Sequence, residues 1–110
     1  MSFDVDIVID AGGEWPAVVE VIGKPTYNIS PMFDLALGED GLRGLDGSNC
    51  GEAIGILEAA DSHVNHPDNL ASYEWHNPAN GWGCHGTAKN IIRKLLAACR
   101  DHPEAFIRVT

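Results

Sequence analysis

Phe3-Asp4-Val5-Asp6-Ile7-Val8-Ile9-Asp10 opens the described chemistry of this chain. Phe3, Val5, Ile7 and Ile9 fall on one face of an extended backbone, and Asp4 and Asp6 on the other. A period of two with one apolar face predicts a half-buried β-strand. Ala11-Gly12-Gly13-Glu14 supplies turn chemistry. Pro16 suits the start or edge of a second strand, Ala17-Val18-Val19-Glu20-Val21-Ile22, which Gly23-Lys24-Pro25 ends. The amino-terminal quarter therefore predicts a β-hairpin.

Outward from the hairpin the period changes. Ser30-Pro31 predicts the start of a short helix, with the hydroxyl as cap and the proline at the first helical position. Four glycines between Gly38 and Gly47 predict a loop. Asn49 followed by Glu52 resembles a capping box, and Ala53, Ile56, Leu57, Ala60 and Val64 then form a helical stripe that Pro67 stops. Asp68 to Pro78 predicts irregular chain or one short helical turn. A longer helix is expected from about Cys84 or Thr87 to Arg100, buried through Ala88, Ile91, Ile92, Leu95, Leu96 and Cys99. Pro103 ends it, and Ala105–Thr110 predicts a last strand. The pattern is a single α+β domain over residues 1–110, a two-layer sandwich. About three mainly antiparallel strands, the hairpin plus the C-terminal strand, carry two longer helices and one short helix on the Phe3, Val5, Ile7 face. Whether the last strand pairs with the first or the second is left open.

The chain has 110 residues and a mass of 11.8 kDa, enough for one modest core. Its formal net charge is −9, which argues against general nucleic-acid binding through a basic surface. No apolar run approaches the roughly 20 residues needed to span a bilayer, and the first residues lack a basic signal-type segment. Three cysteines, Cys50, Cys84 and Cys99, with no CxxC pair, predict reduced thiols in a cytosolic protein. Cys99 is expected in the core and Cys84 at the surface. The charge is uneven: residues 1–61 hold twelve acids and two bases, a net of −10. Residues 62–110 hold four acids and five bases, and no acid falls between 84 and 100.

Asn77-Pro78-Ala79-Asn80-Gly81-Trp82-Gly83 leads into the longer helix. Glycines let a ligand approach the backbone, the helix N-terminus suits an anion, and an indole can stack on a flat base whose edge the carboxamides read. Gly81 and Gly86 have P-loop spacing, but Thr87 stands where a lysine belongs, so no Walker motif is assigned. Tyr27-Asn28 has similar chemistry and also leads into a helix. The two segments are expected to face one another across a cleft. The expected ligand residues are Tyr27, Asn28, Asn77, Asn80, Gly81, Trp82, Gly83 and His85, with Lys89 and Arg93 near a phosphate. His63, His66, His76, Cys84 and His85 match no common zinc spacing, so no metal or cofactor is assigned. Nothing selects an acid–base or nucleophile pair from Cys84, His85, His76, Asp61 and Glu74, so the expected activity is binding rather than catalysis.

Taken together, Tyr27-Asn28, Pro31-Met32, Asn77-Pro78, Asn80-Gly81-Trp82-Gly83, the Leu-rich helix, His102-Pro103 and the short final strand resemble a family of small proteins. Its members occur in tailed bacteriophages and in bacteria that carry prophages. The resemblance runs from Tyr27 through nearly all of the remaining chain. Asn-Gly-Trp-Gly is its most specific part. Members often place an acid and a tyrosine just after Gly-Trp-Gly, where this chain has Cys84 and His85. The family has no established activity, so the resemblance implies a phage or prophage setting, in the cytoplasm of a bacterial host. In that setting the leading expectation is sequestration of a small nucleotide-like anion, a host defence signal, with the pocket completed in a homo-oligomer. The alternative is an acidic inhibitor that meets a host protein through the negative amino-terminal half, including Asp4, Asp6, Asp34 and Asp40. A third reading is a hydrolase or transferase using Cys84 or His85.

Overall fold

The computed structural model describes residues 2–10, 12–77 and 84–110. Strand β1 is Val5–Ile9, β2 is Ala17–Gly23 and β3 is Phe106–Val109. They form an antiparallel sheet in the order β2-β1-β3, so the C-terminal strand pairs with the first and not with the second. Four helices pack with it: α1 (Ser30–Leu37), α2 (Cys50–Asn65), α3 (Leu70–Trp75) and α4 (His85–Asp101). The fold is α+β, as the alternation of β1 and the stripe of α4 predict. No helix among the described residues is long and apolar enough to cross a membrane.

Val5 and Ile7 are fully buried, and across the sheet Ile107 and Val109 join them against the helices. The outward face carries Asp6, whose carboxylate accepts from Arg108 Nη2 at 3.0 Å. Val18, Val21 and Phe106 remain exposed around it. Strand β2 is irregular. Its pairing with β1 jumps at two places, leaving Val19 and Ile22 as bulged extra residues. This shift turns Ile22 into the core while Val21 faces water. Gly23 sits at a close approach: a Cβ there would meet Ile91 Cδ1 at 3.0 Å, so that side chain would have to shift.

Helices α2 and α4 lie antiparallel. At one end Gly51 N–H donates to Pro103 O at 2.9 Å, and at the other His85 Nε2–H donates to Val64 O at 2.8 Å. The seam of α2 is Cys50, Ala53, Leu57, Ala60 and Val64. Its spacing of three and four residues is a narrow stripe, and small Ala53 and Ala60 let the helices come close. Ile56, expected in the buried stripe, lies just outside this seam and is half exposed. The α4 stripe of Ala88, Ile91, Ile92, Leu95, Leu96 and Cys99 is buried throughout. Asn49 caps α2: its Oδ1 accepts from Glu52 N–H at 3.1 Å.

Three expectations about the connections need correction. Ser30 is not the cap of α1 but its first residue. A 3₁₀ turn at Tyr27–Ile29 precedes it, opened by Thr26 Oγ1 accepting from Asn28 N–H, and Ser30 Oγ donates back to Tyr27 O at 2.7 Å. The glycine-rich stretch is not an open loop. Gly41–Leu45 forms a 3₁₀ turn that buries Leu42 and Leu45, apolar anchors that outweigh the flexibility of their neighbours. Gly41 has φ +53° and sits against Asp34 Oδ1, a conformation and a space that suit glycine alone. Finally, the stretch after Pro67 is mostly helical: a 3₁₀ turn at Pro67–Asn69 runs into α3.

Candidate functional site

The C-terminal end of α2, helix α3 and the first turn of α4 meet around one ring. Tyr73 is fully buried, the largest wholly buried side chain among the described residues. His85 stacks on it, with centroids 4.7 Å apart and planes 14° from parallel. His63 meets it edge-on, and its Nδ1 lies 2.6 Å from the Tyr73 hydroxyl. His63 O in turn accepts from Asn69 Nδ2 at 3.0 Å. Because His85 Nε2 donates to a carbonyl, the neutral ring must carry its lone pair on Nδ1. Burial pushes the Tyr73 hydroxyl above its ordinary pKa.

The start of α4 is built from side chains. Asn77 Oδ1 accepts from His85 N–H at 3.3 Å, so it satisfies a donor that the helix itself leaves free. Cys84 immediately precedes the helix and is exposed. Its thiol lies 3.6 Å from Thr87 Oγ1. That contact, with the nearby N–H groups of Thr87 and Gly86, holds the thiol below its usual pKa despite slight burial. His85 gives Cys84 no support as a base: no hydrogen bond links them among the described residues, and the imidazole is engaged by Val64 and Tyr73. Nor is there a metal-binding group of histidines, cysteines and carboxylates among the described residues.

His85, Lys89 and Arg93 are spaced by four along α4, which sets them in one line up the helix. Lys89 and Arg93 have no ion pair among the described residues. Lys94 likewise has none among them, whereas Lys24 pairs with Asp4 at 3.5 Å, Arg100 with Glu58 at 3.8 Å, and Arg108 with Asp6 at 3.0 Å. The macrodipole of α4 adds positive potential at the same end.

The structure thus joins Asn77 to His85 and aligns His85 with Lys89 and Arg93. It does not join Tyr27 or Asn28 to them by any hydrogen bond or ring contact among the described residues. The Tyr27 ring packs edge-on against Phe3 at 4.5 Å, and its hydroxyl accepts from Arg43 Nη2 at 3.0 Å. Arg43 also lies over the Phe3 ring at 5.2 Å. Asn28 is exposed beside this cluster. Asn80, Gly81, Trp82 and Gly83 lie outside the described residues.

Sequence reasoning overlooked a second feature. Leu35 of α1 and Ala71, Ser72, Trp75 and His76 line an open hollow of about 370 Å³. Ala71 and Ser72 stand four and three residues before Trp75, a spacing that was available as a signal. Near it, burial raises the carboxyl pKa of Asp34, as does the charge of Asp40, while His76 opposes the shift. No known protein family, curated protein sequence or solved structure matches this chain.

The thiols give an immediate check on the packing. Cys50 and Cys99 are buried at the far end of the α2–α4 seam, where each thiol influences the other's ionisation. Burial, with smaller contributions from Cys50 and Glu20, pushes Cys99 up to about 12. We expect a chromogenic disulfide reagent to titrate Cys84 in the native protein and all three thiols after denaturation. Cys99 and Tyr73 both have raised folded-state pKa values, so the folded protein holds protons that the unfolded chain releases. Their contribution to stability is complete below the unfolded thiol value of 9.0 and is lost as the pH climbs toward about 12. Urea unfolding across that window should show falling stability, and Cys99→Ala should flatten the slope.

Proposed function

We propose that this is a phage-type binding protein, not an enzyme, and that it sequesters a small nucleotide-like anion at the first turn of α4. The observation that carries the reading is the line of His85, Lys89 and Arg93 rising from a capped helix N-terminus. Its two permanent cations have no ion pair among the described residues. In a chain of net charge −9, these cations form a local positive edge that an external anion can meet. The buried Tyr73 ring fixes the His85 end of this line, so little ordering is left for the ligand to pay. Asn77 completes the turn and adds hydrogen-bonding capacity beside it.

Thermal denaturation with purine mononucleotides, cyclic dinucleotides and ADP-ribose tests the reading. A ligand at 100 times its dissociation constant should stabilise the fold by about 2.7 kcal/mol. Failure of every phosphate-bearing compound to raise the transition at millimolar concentration would sink it.

A protein-binding role is the second reading, and a separate observation favours it. At the opposite end of α2, Gly47, Ser48, Asn49, Glu52, Ile56 and Phe106 border a groove of about 520 Å³. Ile56 and Phe106 are exposed there, and Glu52 stands without an ion pair among the described residues. A host-protein interaction through this face would weaken with Ile56→Glu and with added salt, and would ignore substitutions at Lys89.

A further inference from the structure

We infer that the hollow between α1 and α3 is the ring subsite of the same ligand, and that the ligand is a purine nucleotide whose base stacks on Trp75. This rests on the reading of α4 as the anion site and adds the class of molecule that the anion belongs to.

Trp75 is 84% exposed. An indole left in water forfeits the burial that makes tryptophan valuable, and a flat partner restores it. The surroundings suit such a partner. On a helix a long side chain leans toward the preceding turn, which brings Trp75 over Ala71 and Ser72. Their small side chains leave a shelf, and Leu35 closes the other side from α1. The open hollow, about 370 Å³, falls in the volume range of small-molecule sites. Two polar groups stand at the lining, the Ser72 hydroxyl and the His76 ring.

The phosphate has somewhere else to go. His76 lines the hollow, and the next residue, Asn77, holds the first N–H of α4. Adjacent residues of one chain segment therefore border the hollow and hold the first turn of α4. A ring that stacks on Trp75 and a phosphate on the α4 side are two ends of one small molecule.

Calorimetric titration with AMP, GMP, ribose 5-phosphate and inorganic phosphate tests this, using wild type, Trp75→Ala and Trp75→Phe. Either AMP or GMP should bind at least about tenfold more tightly than ribose 5-phosphate, the preference expected of one base–aromatic stack. Trp75→Ala should erase that preference and leave ribose 5-phosphate affinity unchanged, whereas Trp75→Phe should keep part of it. Quenching of intrinsic fluorescence by the preferred nucleotide should shrink in Trp75→Phe. Equal binding of nucleotides and ribose 5-phosphate, or a preference that survives Trp75→Ala, overturns the ring subsite while the anion site stands. Tight, Trp75-dependent nucleotide binding with no response to Lys89→Ala overturns the anion site instead. No binding by any of the four compounds overturns both.

Discussion

Tyr73→Ala is expected to cost about 3–5 kcal/mol of stability, the range for removing a wholly buried aromatic ring. In a chain of 110 residues that lowers the thermal midpoint by roughly 10–20 °C. The cost has two sources. The ring is fully buried, so its deletion leaves an unfilled space among helices that cannot all collapse inward. Its ring also meets both His63 of α2 and His85 of α4, so its loss frees α3 from each. Tyr73→Phe separates these effects. It keeps the ring and removes the hydroxyl at 2.6 Å from His63 Nδ1, for about 1–2 kcal/mol. Chemical denaturation of the three proteins checks both numbers. A Tyr73→Ala variant within 1 kcal/mol of wild type would show that the ring does not hold the helices together.

Lys89→Glu with Arg93→Glu is expected to weaken nucleotide binding by roughly 100-fold, as the loss of two charge-assisted contacts at about 1.5 kcal/mol each implies. The fold should tolerate the change. Neither residue makes an ion pair among the described residues, and neither belongs to the buried stripe of α4. The formal charge moves from −9 to −13, four units for two reversals. Calorimetry supplies the affinity and the melting curve supplies the control. Wild-type binding should also fall as salt rises, since the contacts lie near the surface. Unchanged affinity in a double variant that melts like wild type would remove α4 from the site.

Much of the architecture was legible because single elements carry unambiguous periods. β1 alternates, the apolar stripe of α4 is complete, and Asn49 stands three residues before Glu52. What escaped the sequence was set by tertiary contact. Leu42 and Leu45 are two apolar residues among four glycines, too few to show a period, yet the core takes both. Ile56 fits a wide helical stripe, but the close α2–α4 seam is narrow and leaves it outside. Tyr73 is one aromatic in a polar stretch, and only the two histidines that meet it reveal its place. The site divides in the same way. Asn77 and His85 lie eight residues apart at a helix start, so their contact is local. The partnership expected for Tyr27 is long-range and involves Asn80 and Trp82, which lie outside the described residues; its ring packs on Phe3 and its hydroxyl accepts from Arg43.

The irregular second strand has a consequence for how molecules behave at high concentration. Strand β2 is an outer strand of seven residues, five of them alanine, valine or isoleucine, and it contains no lysine or proline to discourage fibril growth. Val19 and Ile22 do that work through backbone geometry. Each extra residue throws the donors and acceptors along the rim out of step, so a straight strand from a neighbouring molecule finds no continuous ladder to join.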